Sequence, residues 1–139
     1  MTIPRQKLRE IILQLLFSNI FIESESDVLV PFMMRQIKTT KKNILIALVN
    51  VKNIQDKIDI LDEDIKITST SYDINRISKV ELSILRLALY EMRFDKNIPY
   101  KVAITEAIRL TKKFAGKQSV SFVNAILDSI YHKYEDTKK

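Results

Sequence analysis

Few residues in this chain can do covalent chemistry. The 139 residues include one histidine and no cysteine, which removes a thiolate nucleophile, a disulfide framework and a zinc site of the usual cysteine type. His132 falls on the polar side of the last helical pattern and reads as a solvent-facing side chain. The single glycine, Gly116, leaves no glycine-rich loop to cradle phosphate. Carboxylates gather only at Asp59, Asp62, Glu63 and Asp64. They lack the glycine of a calcium loop and read as solvated charge. No catalytic residue, metal ligand or cofactor is therefore assigned.

What remains is non-covalent recognition. Arg5 and Arg9 lie one turn apart at the start of the first helix, with Lys7 on the other flank. The amino end of a helix adds partial positive charge and free N–H groups, a seat for phosphate. Lys101, Arg109, Lys112 and Lys113 occupy the side of a later helix opposite its apolar stripe, with Lys117 in the loop beyond. One-sided positive charge is the footprint of a nucleic-acid backbone, and equally that of a solvated helix face. The net charge of +6 favours an anionic partner without requiring one. Phe122 sits at the edge of the last helix's apolar stripe beside Gln118 and Ser119. Either it belongs to the core, or it stacks on an unpaired base while the polar pair reads an edge.

These residues need helices to hold them, and the apolar spacing supplies helices throughout. Pro4 fits a first helical position, and the helix runs to about Phe21. At about 100° per residue its apolar residues fall on two faces, Leu8, Ile11, Ile12, Leu15 and Leu16 against Leu13, Phe17 and Ile20. Such a helix belongs between other elements. Residues Glu23 to Asp27 read as a loop, and Asp27 can cap a short helix toward Ile37 with Pro31 in its first turns. Thr39 or Thr40 can cap the next, whose apolar face runs Ile44, Ala47, Leu48, Val51, Ile54, Ile58 and Leu61. Acids at a carboxy end oppose the macrodipole, so this helix is expected to stop near Asp62. Residues 65–75 then read as a connection.

Ser78-x-x-Glu81 is a capping-box pattern before a helix that is apolar almost all round, with Arg86 and Arg93 in its polar strip. A cation there needs a partner, and Glu106 is the expected one for Arg86. Pro99 opens a helix with core face Ala103, Ala107, Leu110 and Phe114, and Gly116 ends it. Ser119 or Ser121 caps the last, with Val123, Ile126, Leu127, Ile130 and Tyr134 inward. The expected fold is all-α, about seven helices in two three- to four-helix subdomains, 1–70 and 76–135, within one domain. With 46% apolar residues it can bury a core unaided. The longest unbroken apolar run, Ile44 to Val49, is far short of a membrane span, and a cytoplasmic protein is expected.

Several phrases carry a family resemblance: ILRLALYEM (Ile84 to Met92), IPYKVAITEAI (Ile98 to Ile108), KKF (Lys112 to Phe114) and SFVNAILD (Ser121 to Asp128). In this order and spacing they resemble the carboxy-terminal half of the NusB family, small all-helical transcription antitermination factors of bacteria. RQKLREIILQLLF (Arg5 to Phe17) is similar to the family's Arg-rich opening, and residues 22 to 75 match only in length and helicity. Thr105 stands where the family usually has Asn, and Ala125 where it usually has Gly.

The resemblance implies two packed helical bundles with the amino-terminal helix central. It implies binding of boxA-type single-stranded RNA together with the ribosomal protein NusE, and action with NusA, NusG and RNA polymerase in ribosomal RNA operons. RNA contacts then fall to Arg5, Lys7, Arg9, Lys101, Arg109, Lys112, Lys113, Gln118, Ser119 and Phe122. The ribosomal partner falls near Glu81, either as a carboxylate for a basic protein or simply as part of its cap. The free protein would be a monomer or homodimer. Two other readings stand beside this one. A similar module precedes the catalytic domain of certain ribosomal RNA methyltransferases, and a stand-alone enzyme of that kind is not expected at this length unless the chain is a fragment. The third is a helical interaction or homodimer module whose basic surface is incidental.

Overall fold

The computed structural model describes residues 3–21, 38–69 and 74–137. Within them the protein is all-α, with six α-helices and no strand among the described residues. They are α1 (Arg5–Phe21), α2 (Lys41–Asp56), α3 (Ile58–Thr68), α4 (Lys79–Phe94), α5 (Tyr100–Phe114) and α6 (Val120–Thr137). The loop expected at Glu23 to Asp27 and the short helix from Asp27 toward Ile37 lie outside the described residues. The chain divides into two compact units, 1–55 and 56–139.

In the first unit, Leu8 N–H donates to Pro4 O at 3.0 Å, so Pro4 stands one position ahead of α1. Ile11, Ile12, Leu13, Leu15 and Leu16 are all buried, as a helix apolar on two sides requires. Thr40 caps α2, its Oγ1 accepting from Asn43 N–H at 3.3 Å, and Thr39 Oγ1 accepts from the Asn43 side chain. Ile44, Ala47, Val51 and Ile54 of α2 are buried, while Leu48 of the predicted stripe is half-buried. Ile44, Val51 and Ile54 each contribute roughly 1.5–3 kcal/mol relative to exposure.

The second unit departs from expectation at its start. The long helix expected to end near Asp62 instead breaks at Lys57, and a new helix, α3, begins at Ile58 and runs to Thr68. The acids that would have opposed the macrodipole at the end of one long helix thus no longer sit at a carboxy end, and Asp59 falls in the first turn of α3, where negative charge is favourable. Lys57 places its ammonium 5.3 Å from the Phe94 ring centroid. The connection expected over 65–75 begins only after Thr68.

The acidic cluster is also not simply solvated. Asp62 receives a two-pronged contact from Arg86, Nε to Oδ1 and Nη2 to Oδ2, both 2.9 Å, with the side chains 14% and 21% exposed. This corrects the pairing of Arg86 with Glu106. Glu106 is buried and holds Arg109 on its own helix, at 3.1 and 3.2 Å. Asp64 accepts from Arg93 at 2.7 Å and from the Tyr134 hydroxyl at 2.6 Å. Burial, then the hydrogen bond to Asp64 and its charge, push the Tyr134 phenol well above its usual value.

The capping box of α4 forms in full. Ser78 Oγ accepts from Glu81 N–H at 3.1 Å, and Glu81 Oε1 accepts from Ser78 N–H at 3.3 Å. Packing centres on α4, against α5 first and against α3 and α6; Ile84, Leu85, Leu89, Leu110, Leu127 and Ile130 are wholly enclosed. Tyr100 at the start of α5 meets Tyr131 and Tyr134 of α6 edge-on, at 5.3 and 6.0 Å between ring centroids.

Candidate nucleic-acid interface

The candidate residues fall in both units. In the first, α1 presents Arg5 and Lys7 as exposed side chains, whereas Arg9 is only 6% exposed. The exposed Arg5–Arg9 pair expected from their one-turn spacing is therefore reduced to Arg5. A residue on the boundary of an apolar stripe can lie either way, and spacing alone does not separate the two.

In the second unit α5 carries the largest set. Its strong segregation of apolar and polar residues comes from Ala103, Ala107 and Leu110 facing inward, which leaves Lys101, Thr105 and Lys112 within a narrow angular range on the outside. All three are exposed. Lys112 lies eleven positions after Lys101, about 16 Å along the helix axis, the span of a few nucleotides. Arg109 shares this helix but is half-buried, its guanidinium held by Glu106, so its charge is partly answered within the protein. Lys113 is exposed, 5.7 Å from the ring centroid of Phe114. Phe114 itself is half-buried where full burial was expected.

The elbow between α5 and α6 places the remaining candidates. The last turn of α5 closes when Ala115 and Gly116 both donate their N–H groups to Thr111 O, at 2.9 and 2.8 Å. Gly116 then turns the chain through φ 113° into a single 3-10 turn, Lys117–Ser119, and α6 begins at Val120 directly after it. Lys117 and Gln118 are exposed, Ser119 and Phe122 half-buried. Phe122 is thus neither a fully enclosed core residue nor a free platform.

At the start of α4, Glu81 performs its capping role and is half-buried. Arg76 and Lys79 stand exposed on either side of Ser78, a basic pair that no helical repeat in the sequence singles out. His132 is exposed, 3.5 Å from Asp128 one turn earlier. Among the described residues no group of His, Cys, Asp or Glu could hold a metal ion, and no helix is long and apolar enough to cross a membrane. The arrangement offers positive charge, one half-open aromatic ring and side-chain amide and hydroxyl groups. It can bind a polyanion and contact bases.

The profile of the NusB family matches residues 6–132. The transcription antitermination protein NusB of Chlamydia pneumoniae is 38% identical over 128 residues, covering 92% of this chain and 80% of that protein. The solved structure of T. maritima NusB, 31% identical, superposes with a TM-score of 0.77 over 94% of this chain and 92% of that one. A chain in the crystal structure of antitermination factors NusB and NusE in complex with dsRNA shares the fold, with 24% identity and a TM-score of 0.77 over 94% and 97% of the two chains.

Proposed function

The chain belongs to the NusB family, and we propose on that premise that it is a transcription antitermination factor, binding boxA-type single-stranded RNA together with the ribosomal protein NusE. The observation that carries the RNA reading is the exposed line of Lys101 and Lys112 on α5, continued by Lys117 and Gln118 beyond the helix, in a chain matched to the family nearly from end to end. Within the second unit phosphates lie against these lysines and Lys113, and the half-buried Phe122 takes a base; within the first, the Arg5–Lys7 end of α1 offers phosphate-binding charge of its own. Each stacked base contributes about 1–3 kcal/mol. Arg9 and Arg109 contribute less direct charge, the first through burial and the second through Glu106.

NusE docks near the start of α4. Glu81 already gives Oε1 to the Ser78 N–H and offers its other oxygen to a basic side chain. The assembled pair joins NusA, NusG and RNA polymerase in the cytoplasm. Recruitment is the whole of the mechanism, with no covalent bond made or broken, in keeping with the lack of a reactive constellation in the sequence.

The test is fluorescence anisotropy of a labelled boxA-type RNA against a scrambled RNA of equal composition, with and without NusE, at two salt concentrations. Sequence-selective binding that NusE tightens is expected. Its logarithmic salt slope should be about 0.7 per phosphate neutralised. Equal, weak binding to both RNAs, unchanged by NusE, would leave a basic helical module and overturn the reading.

A further inference from the structure

Two grooves meet at one end of the second unit. The first, of about 380 Å³, runs between α3 and α6 past Ile67, Thr68, Tyr100, Ile130, Lys133 and Tyr134. The second, of about 660 Å³, lies over the turn from α4 into α5, against Met92, Lys96, Ile98, Pro99 and Tyr131. Arg93 and Tyr100 line both, so one extended ligand can cross from the first to the second. Each has the size of a ligand site and a mainly apolar lining with a few polar groups. This end stands apart from the elbow and from Glu81. Arg93 comes twelve positions after Glu81 on α4, and Tyr100 fourteen before Phe114 on α5, about 18 and 21 Å along the two helices. Lys101, on the rim of the second groove, is the one residue shared with the phosphate line on α5.

The walls are already held in place. Tyr134 is fixed by its bond to Asp64, and Tyr100 by its edge-on contacts with Tyr131 and Tyr134. The Arg93 guanidinium donates to the same Asp64 and lies 5.7 and 5.8 Å from the ring centroids of Phe94 and Tyr134. Lys133 Nζ donates to Thr68 Oγ1 at 3.3 Å. Walls fixed beforehand lose little freedom on binding. On the lip, Ile67 is 53% exposed. The charge left over has one sign. Asp64 is taken by Arg93 and Tyr134, Asp95 accepts from Asn97 N–H at 3.1 Å, and Glu135 is engaged as well. Lys96, Lys101 and Lys133 have no ion-pair partner among the described residues.

We propose that the paired grooves dock an acidic peptide segment of a partner protein, one large apolar side chain entering each groove and carboxylates meeting Lys133 and Lys96. The lysines select an anionic ligand, and the aliphatic lining of Ile67, Met92, Ile98 and Ile130 selects a peptide, since an RNA strand carries no aliphatic side chains to fill it. The surface is separate from the RNA and NusE contacts above and depends on neither.

The experiment titrates the whole protein with three labelled short peptides. One alternates Glu with Leu and Phe, one replaces its Glu by Lys, and one replaces its Leu and Phe by Ser. Anisotropy gives affinity, backbone amide shifts give the place, and a melt is recorded for each variant. The acidic apolar peptide should bind at least about tenfold more tightly than the other two and shift the amides of Ile67, Tyr100 and Lys133. Lys133→Glu should weaken it by about tenfold, Lys133→Gln by about threefold and Ile67→Ser by about fivefold. Lys66→Glu makes the same charge change on an exposed residue of α3 outside both grooves and should stay within about twofold.

No binding of the acidic apolar peptide, equal binding of the basic one, shifts away from the grooves, or Lys66→Glu as damaging as Lys133→Glu would each overturn the inference. Displacement of the peptide by a boxA-type RNA that shifts the same amides would also overturn it, giving the grooves to RNA. None of the first four outcomes touches the RNA reading.

Discussion

The helices α3 and α5 are both rich in charge, and they use it in opposite ways. Asp62 and Asp64 of α3 turn their carboxylates onto Arg86, Arg93 and Tyr134 of the same unit. Lys101 and Lys112 of α5 stand in water. In the sequence the acidic run looks as solvated as the basic one, yet one is structural and the other is available to a partner. The lesson is that a charged cluster takes its meaning from what lies across from it. For α3 the answering residues are 24, 29 and 70 positions away.

The comparison can be broken most readily at Asp62. Asp62→Ala leaves a mostly buried guanidinium without its two hydrogen bonds, and a loss of about 2–3 kcal/mol is expected in denaturant titration; an unchanged midpoint would put α3 on the same footing as α5. A similar contrast within α1 should follow. Arg9→Ala should cost about 1–2 kcal/mol, through its buried stem and polar contacts, while Arg5→Ala should stay within about 0.5 kcal/mol.

Alkaline pH sharpens the contrast further. The Tyr134 phenol is raised from its ordinary value of 10.0 by burial first and by Asp64 second, so the folded state keeps this proton after the unfolded chain has begun to release it. That contribution is fully present below about pH 10 and is lost as pH rises through the shifted value. Wild-type protein should therefore lose stability above about pH 10 more steeply than Tyr134→Phe, as melts over a pH series would show. The smallest effect on stability belongs to α5. Lys101→Ala and Lys112→Ala should each move the melt by no more than about 0.5 kcal/mol, yet each should lower the salt slope of RNA binding by about 0.7.

Local signals are legible in the sequence alone. The Ser78–Glu81 box, the Thr40 cap, the termination at Gly116 and the inward stripes of α2, α4, α5 and α6 depend on residues within a turn or two of one another. The break at Lys57 is not legible, because the apolar period continues unbroken from Ile54 to Ile58 and Leu61. The partner of Arg86 is hidden for a related reason. Glu106 is the acid on the next helix in sequence, whereas Asp62 precedes Arg86 by 24 residues and reads as solvent-exposed charge. The burial of Arg9 depends on three-dimensional surroundings that helical spacing does not contain.

The bond from Tyr134 to Asp64 also has a kinetic side. It spans 70 residues, and Lys133 reaches Thr68 across 65. A chain that emerges amino end first has made α3, α4 and α5 before the residues that fasten α3 to α6 exist. Contacts of such long separation form late and slow the search for the native state. On a translating ribosome α3 is first held by α4 alone, through Arg86 and Arg93, and its fastening to α6 waits until residue 134 is free to reach it, so a pause near the end of synthesis should leave α3 more open to protease than in the finished unit, and release should close it.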